Sequence, residues 1–261
     1  MLRSKTRTAF TAVELLSALA IVIFLAAVLV TAAWKVYANS SLAISANNIR
    51  ALSAASASYL ADNNYTFWPY RYSDPQLPKG VSWWFGFESA ASMSLGEGNR
   101  SFDPSQGPLG GYIPASFRPD PSFKLSGKAF KPKYRSGYLG VGYNILLGGS
   151  WMWDGKKPLM RYWELPEPGK IVVFSTSAQV NTFQSPASRT NPMVEEFYAL
   201  DGNEISVHFR HNKNAMVAFA NGSAGFLPMD PSTLDSRAPK ANVGRFAPKG
   251  STKYLLPETA P

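Results

Sequence analysis

Hydrophobic positions along the first 62 residues follow a helical period in two different ways. From Leu15 to Trp34, twenty residues pass without a charge. At about 1.5 Å per residue they form a rod of about 30 Å, the depth of a bilayer's hydrocarbon core. Beyond it, Leu42, Ala46, Ile49, Leu52, Ala55 and Tyr59 recur at steps of three or four. Asn39, Ser41, Asn47, Arg50 and Ser58 hold the other face. This second half reads as an amphipathic helix that packs on the domain C-terminal to it. No glycine or proline precedes Pro69, and all 20 of each lie from there onward. One helix is therefore predicted from about Thr11 to about Ala61. Asp62-Asn63-Asn64 forms its exit, because these side chains favour turns.

After Pro69 the pattern breaks up. Clusters such as Asp103-Pro104, Gly107-Pro108 and Gly110-Gly111 predict loops and short strands to about Tyr134, with a short helix near Glu88–Leu95. Tyr138–Leu147 and Lys170–Thr176 read as strands, the latter around the buried-looking run Ile171-Val172-Val173-Phe174. Glu204–Phe209, Ala215–Ala220 and Ser223–Leu227 read as a meander. Asn221-Gly222 is a type I′ hairpin signal, since both positions tolerate positive φ. From residue 228 the chain is polar and proline-rich and is expected over the surface or loose. The fold class is α+β: a long N-terminal helix packed on a C-terminal antiparallel β-sheet domain with long loops. The expected divisions are a leader (1–9), a span (10–34), an amphipathic helix (35–62), a β-rich domain (63–227) and a tail (228–261).

Composition narrows the setting. Hydrophobic content of 45% with 13% aromatic residues indicates a folded protein. With no cysteine, disulfides, thiol nucleophiles and cysteine metal sites are excluded. Net charge is +9, of which Arg3, Lys5 and Arg7 of the leader supply three. These basic residues precede the span and only Lys35 closely follows it. The positive-inside bias thus places residues 1–9 in the cytoplasm and the rest outside. The apolar run is too long for a secretory signal core and flows into a helix, so it reads as a retained anchor. The remaining basic residues are dispersed. They fit a soluble basic surface or attraction to acidic polymers and lipid headgroups. Nucleic acid is not expected as a partner.

Glu14 stands alone at the start of the apolar rod, where a carboxylate is costly without a partner. The surrounding Ala9-Phe10-Thr11-Ala12-Val13-Glu14-Leu15-Leu16 resembles the cleavage-and-methylation segment of type IV pilins and type II secretion pseudopilins. That resemblance implies a cut by a prepilin peptidase between Ala9 and Phe10, and N-methylation of Phe10. The family prefers glycine before the cut, where this chain has Ala9. It further implies that Glu14 neutralises the Phe10 amine of a neighbouring subunit and so fixes register. The alternative has Glu14 reaching the headgroups or inserting protonated. Ala46–Leu52 and Tyr59–Tyr65 also resemble pseudopilins after their span. Many relatives carry a proline within the span; Thr31 stands there here, which predicts an unbroken helix. Near the other end, His211, nine residues and Asn221-Gly222 resemble the closing signature of pilin-like proteins abundant in Verrucomicrobia and Planctomycetes. Those proteins have Asp where this chain has Asn221. Physically the motif reads as two hairpin turns at fixed spacing.

Other chemistry is sparse. His208 and His211 are the only histidines, too few for a zinc site. Asp201-Gly202-Asn203-Glu204 offers oxygens that a calcium ion could use, but lacks a recognisable calcium-loop pattern and reads as a turn. No other cofactor is expected. Trp83-Trp84-Phe85 and Trp151-Met152-Trp153 are candidates for an exposed aromatic ligand platform, against core packing. Glu164, Glu167, Glu195 and Glu196 do not pair into an acid–base couple, and no catalytic motif occurs, so an enzyme is not expected. The resemblance implies a pilin-like subunit, inserted in the inner membrane with its domain outside and then built into a filament. Implied partners are the prepilin peptidase, other pilin or pseudopilin subunits, the inner-membrane assembly platform, and membrane lipid before assembly. The competing reading is a permanently anchored binding protein for a polysaccharide-type ligand.

Overall fold

The computed structural model describes residues 11–73, 79–114, 119–123, 128–135, 139–149, 151–152, 154–156 and 158–256. It forms two compact units, one ending at Ser41 and one starting at Leu42. Helix α1 (Ala12–Asp62) runs unbroken past Thr31 and has nearly the expected bounds. Composition changes at residue 34, but the units divide after Ser41.

In the first unit, side chains such as Leu15, Leu19, Val22, Phe24 and Val28 are exposed on every side of the helix. Each large apolar side chain left in water forgoes about 1.5–3 kcal/mol. A rod apolar all round therefore belongs in an apolar medium. Ala12–Ala33 is long and apolar enough to cross a membrane, with a mean hydropathy of 2.8. Its hydroxyls are satisfied locally: Ser17 Oγ donates to the Val13 carbonyl at 2.6 Å, and Thr31 Oγ1 to that of Val28 at 2.9 Å. No donor on these two side chains is left facing hydrocarbon.

The second unit opens with the rest of α1. Its buried face differs from the one the periodicity predicts. Ile49, Leu52 and Ala55 are buried as expected and Ala46 and Tyr59 are half-buried, but Leu42 is 37% exposed and Leu60, off that stripe, is buried. Ser45, Asn48, Ser53 and Ser56 are buried instead. The physical reason is that two of these serines bond to the domain. Ser45 Oγ donates to Asp120 Oδ2 at 2.5 Å and Ser53 Oγ to the Gly222 carbonyl at 2.9 Å. The helix ends as Tyr65 N–H reaches back to the Leu60 carbonyl at 2.7 Å. Asn64 and Tyr65 both adopt positive φ, 51° and 52°. Asparagine does this readily, whereas a tyrosine there costs about 1–2 kcal/mol.

Among the described residues, thirteen short strands come after the helix. In chain order, β1 (Arg71–Tyr72), β2 (Gly80–Trp83) and β3 (Gly86–Ser89) make an antiparallel sheet, and α2 (Ala90–Met93) begins at once after β3. Next come β4 (Phe130–Lys131), β5 (Val141–Asn144), β6 (Val172–Thr176), β7 (Gln179–Asn181) and β8 (Met193–Glu195). The last are β9 (Ala199–Leu200), β10 (Val207–His208), β11 (Asn214–Phe219), β12 (Ala224–Pro228) and β13 (Val243–Gly244). The central sheet has the order β12-β11-β6-β5-β9, antiparallel except where β5 meets β9. A smaller mixed sheet is β4-β8-β7.

Two expectations are corrected here. The meander is reduced to the β11–β12 hairpin, because β10 pairs with β13. For the same reason the segment after residue 228 is no loose tail. Val243, Phe246 and Leu255 are buried, the last two against Val172, Leu200 and Phe209. Asn144 Nδ2 also donates to the Leu255 carbonyl at 2.7 Å.

The main core sits between α1 and the central sheet, where Trp68, Trp84, Tyr143 and Phe174 are fully buried beside Ile49 and Leu52. Trp68 stacks on Tyr143 with ring centroids 4.9 Å apart. Trp84 Nε1–H donates to the Tyr198 carbonyl at 3.0 Å. Trp84 and Phe85 are thus core residues, which decides between the two readings of that run in favour of core packing. In the second candidate run Trp151 and Met152 are partly exposed, and Trp153 lies outside the described residues.

Candidate assembly helix and carboxy-terminal turns

At the amino-terminal end, Ala9 and Phe10 lie outside the described residues. Glu14 falls in the first turn of α1, and Thr11 caps it. Thr11 Oγ1 accepts from Glu14 N–H at 3.2 Å. In return Glu14 Oε2 accepts from Thr11 N–H at 2.9 Å and from its hydroxyl at 2.8 Å. This is a reciprocal capping box, which satisfies two otherwise orphaned backbone donors. The lone acid thus finds part of its partner in its own chain. The Thr-x-x-Glu spacing was the available signal. Both bonds fall on Oε2.

In the second unit, His211 and Asn221-Gly222 sit at opposite ends of β11, as two turns at fixed spacing. The turn types are corrected. The two-residue turn with both φ positive lies at Asn212-Lys213 (49° and 61°), closed by reciprocal His211–Asn214 backbone bonds of 3.1 and 2.9 Å. That is the type I′ geometry. At the other end Gly222 N–H bonds to the Phe219 carbonyl at 3.0 Å, and only Gly222 has positive φ (89°). A type I turn followed by a left-handed glycine closes the hairpin there. Asn221 Oδ1 accepts from Ser223 N–H at 3.0 Å and from its hydroxyl at 2.7 Å. An acceptor oxygen suffices for this, so Asn serves without the charge of an Asp.

The histidines are held neutral. Burial, followed by the Arg210 charge, pushes His208 well below its ordinary value and His211 down to about 4. The turn at His211 is made by its backbone; its ring faces Phe226 at 6.2 Å. Beside them lies a network with no local sequence signal. Arg210 Nη2 contacts Asp120 Oδ2 at 2.6 Å, and Asp120 Oδ1 accepts from Ser122 N–H at 2.9 Å. Burial raises the Asp120 carboxyl, but Arg210, Ser122 and Ser45 outweigh it and hold it at about 2.

The remaining sequence candidates disperse. Asp201 Oδ1 accepts from the N–H groups of Asn203 and Glu204 at 2.9 and 2.8 Å, which makes a turn of the acidic segment. Glu164 Oε2 accepts from Arg161 N–H at 2.8 Å, and Glu167 pairs with Lys170 on the surface. Glu195 bonds to Lys131 at 3.0 Å and Asn181 at 2.6 Å. Burial raises it, but Lys133, Lys131 and Asn181 hold its carboxyl below the usual range. Its neighbour Glu196 accepts from Lys133 N–H at 2.9 Å, and burial pushes it up to about 7.

No protein-family model, no curated protein and no solved structure matches this chain.

Proposed function

We propose that this chain is a pilin-like structural subunit of a type IV pilus or type II secretion filament. A prepilin peptidase removes residues 1–9 on the cytoplasmic side. The mature subunit waits in the inner membrane with its domain outside. The assembly platform then draws it into a filament through α1. The mechanism is mechanical: apolar helix faces bury one another, and Glu14 meets the Phe10 amine of an adjacent copy.

The observation that carries this reading is the lone carboxylate at the head of an otherwise uncharged rod. A plain anchor needs no acid there. The capping box is compatible with the pairing, since Oε2 takes both Thr11 donors. An ammonium group approaching Oε1 completes the carboxylate without unmaking the cap.

The test is co-expression with a prepilin peptidase and intact-mass measurement, followed by shearing of assembled fibres. Loss of nine residues is expected. Glu14→Gln should insert and be cleaved, because glutamine also serves in a capping box, yet fail to enter filaments. A mature chain that still begins at Met1 overturns the proposal, as does wild-type incorporation of the Gln variant.

A further inference from the structure

A cavity of about 250 Å³ opens between the end of α1 and the Phe219–Gly222 turn. Its walls include Ser53, Ser56, Leu60, Tyr65, Tyr162 and Asn221, and among the described residues no Asp, Glu, Lys, Arg or His lines it. Two exposed aromatic rings in contact are associated with it, one in its wall and one beside that. Tyr65 lines the cavity and is 49% exposed; Trp163, next in the chain to Tyr162, is 58% exposed. The two rings lie 6.1 Å apart at 55°. The Arg161 guanidinium sits 5.4 Å from the centre of the Trp163 ring.

Three features separate this place from ordinary surface. Tyr65 holds a left-handed backbone that bulky residues avoid, and its side chain stays half exposed between Tyr162, 6.4 Å away, and Trp163. Full burial is not what holds a tyrosine there, and strain of this kind concentrates at ligand clamps. The strained backbone is fixed on both sides, by Tyr65 N–H to Leu60 at 2.7 Å and by Tyr162 N–H to the Tyr65 carbonyl at 2.8 Å. The platform is therefore built rigidly. Finally, Asn221 spends its Oδ1 on Ser223, which leaves its amide N–H groups uncommitted among the described residues.

The geometry points to a binding site for a neutral saccharide, with one sugar ring on Trp163 and Tyr65 and its hydroxyls directed to Ser56 and Asn221. The cavity lining carries no charge and the Arg161 guanidinium is engaged on the Trp163 ring, so the cavity itself selects an uncharged ligand. Exposed aromatic faces select one with an apolar C–H face. A hydroxyl and an amide beside those faces select one that also exchanges hydrogen bonds. A neutral sugar ring meets all three conditions; an acidic polymer or an aliphatic helix meets only some. This inference does not depend on whether the chain polymerises.

The test is calorimetric titration of the full chain in a detergent without sugar headgroups. The probes are cellohexaose, xylohexaose, maltohexaose and N-acetylchitohexaose. At least one is expected to bind with a Kd between about 10 μM and 1 mM. Trp163→Ala should weaken that binding by about tenfold or more, and Trp163→Phe by less than about threefold. Tyr65→Asn suits the left-handed backbone, so it should lose binding with no fall in Tm. A structural tyrosine would behave in the opposite way. If none of the four probes binds, or if binding survives Trp163→Ala, the site is not a saccharide site. Intact binding with Trp163→Ala chains excluded from filaments would assign the surface to subunit contact and likewise overturn the inference. Failure here leaves leader cleavage unaffected, and the reverse also holds.

Discussion

Asp120→Asn changes one atom and removes the charge that ties Ser45, near the start of α1's domain half, to Arg210. Asp120 Oδ2 is shared by Ser45 Oγ at 2.5 Å and Arg210 Nη2 at 2.6 Å. Both partners of the ion pair have side chains that are 3% exposed. Breaking a buried pair by removing one charge costs about 3–5 kcal/mol, because the other is left uncompensated. The same pair has a pH signature. The Asp120 carboxyl sits at about 2 when folded, against about 3.9 unfolded. The depressed value means that its stabilisation is present above about pH 4 and lost as pH falls through about 2. The loss amounts to about 2–3 kcal/mol. Urea unfolding of the full chain in detergent, followed by tryptophan emission, reads both effects. The variant should be less stable by about 3–5 kcal/mol at pH 7. It should also show a shallower decline between about pH 4 and pH 2. A variant within about 1 kcal/mol of wild type at pH 7, or one with an unchanged acid limb, refutes the reasoning.

Leu52→Ala, at a fully buried position of α1, should cost about 2–5 kcal/mol in the same unfolding assay. Ser53→Ala leaves the Gly222 carbonyl without its 2.9 Å donor and should cost about 1 kcal/mol; no change in midpoint would remove the seam from the energetics. Glu196 is raised to about 7 by burial, so the folded state holds its proton more tightly than the unfolded chain. Its contribution is complete below about pH 4.5 and lost as pH rises through about 7, a change of about 3 kcal/mol. Glu196→Gln should flatten that limb, and an identical pH profile would count against the assignment. His211, lowered to about 4, acts in the opposite sense: its contribution is present above about pH 6.5 and falls away towards pH 4. His211→Phe should abolish that component in a pH titration of Tm.

Much of the helix was legible because its signals are local. An apolar run without glycine or proline, bounded by Thr11 and Asp62-Asn63-Asn64, fixed α1 to within a residue or so. Its buried face is only partly legible, because Ser45 and Ser53 carry no apolar signal and their acceptors lie far away in the chain. The same applies to Asp120 and Arg210, which are separated by 90 positions. Proximity in sequence puts β10 in a meander, yet it pairs with β13, beyond a proline-rich stretch that composition marks as loose. Trp84 and Phe85 stay ambiguous in sequence because flanking Gly and Ser resemble an exposed loop, whereas the turn folds both rings inward. The Asn-Gly dipeptide located a hairpin correctly, but the type I′ turn formed at Asn212-Lys213, where side-chain preference is weaker. Tyr65 and Trp163 carry no motif; only backbone strain and exposure single them out.

The two serine latches on α1 bear on how the domain half would behave under load. A purely greasy seam resists separation but lets its halves glide. Ser45 and Ser53 instead act like pins in a keyway, spaced about 12 Å along the axis. Slippage by one helical turn, about 5.4 Å, must shear both at once. Tension along this segment should therefore be met by abrupt failure rather than by creep.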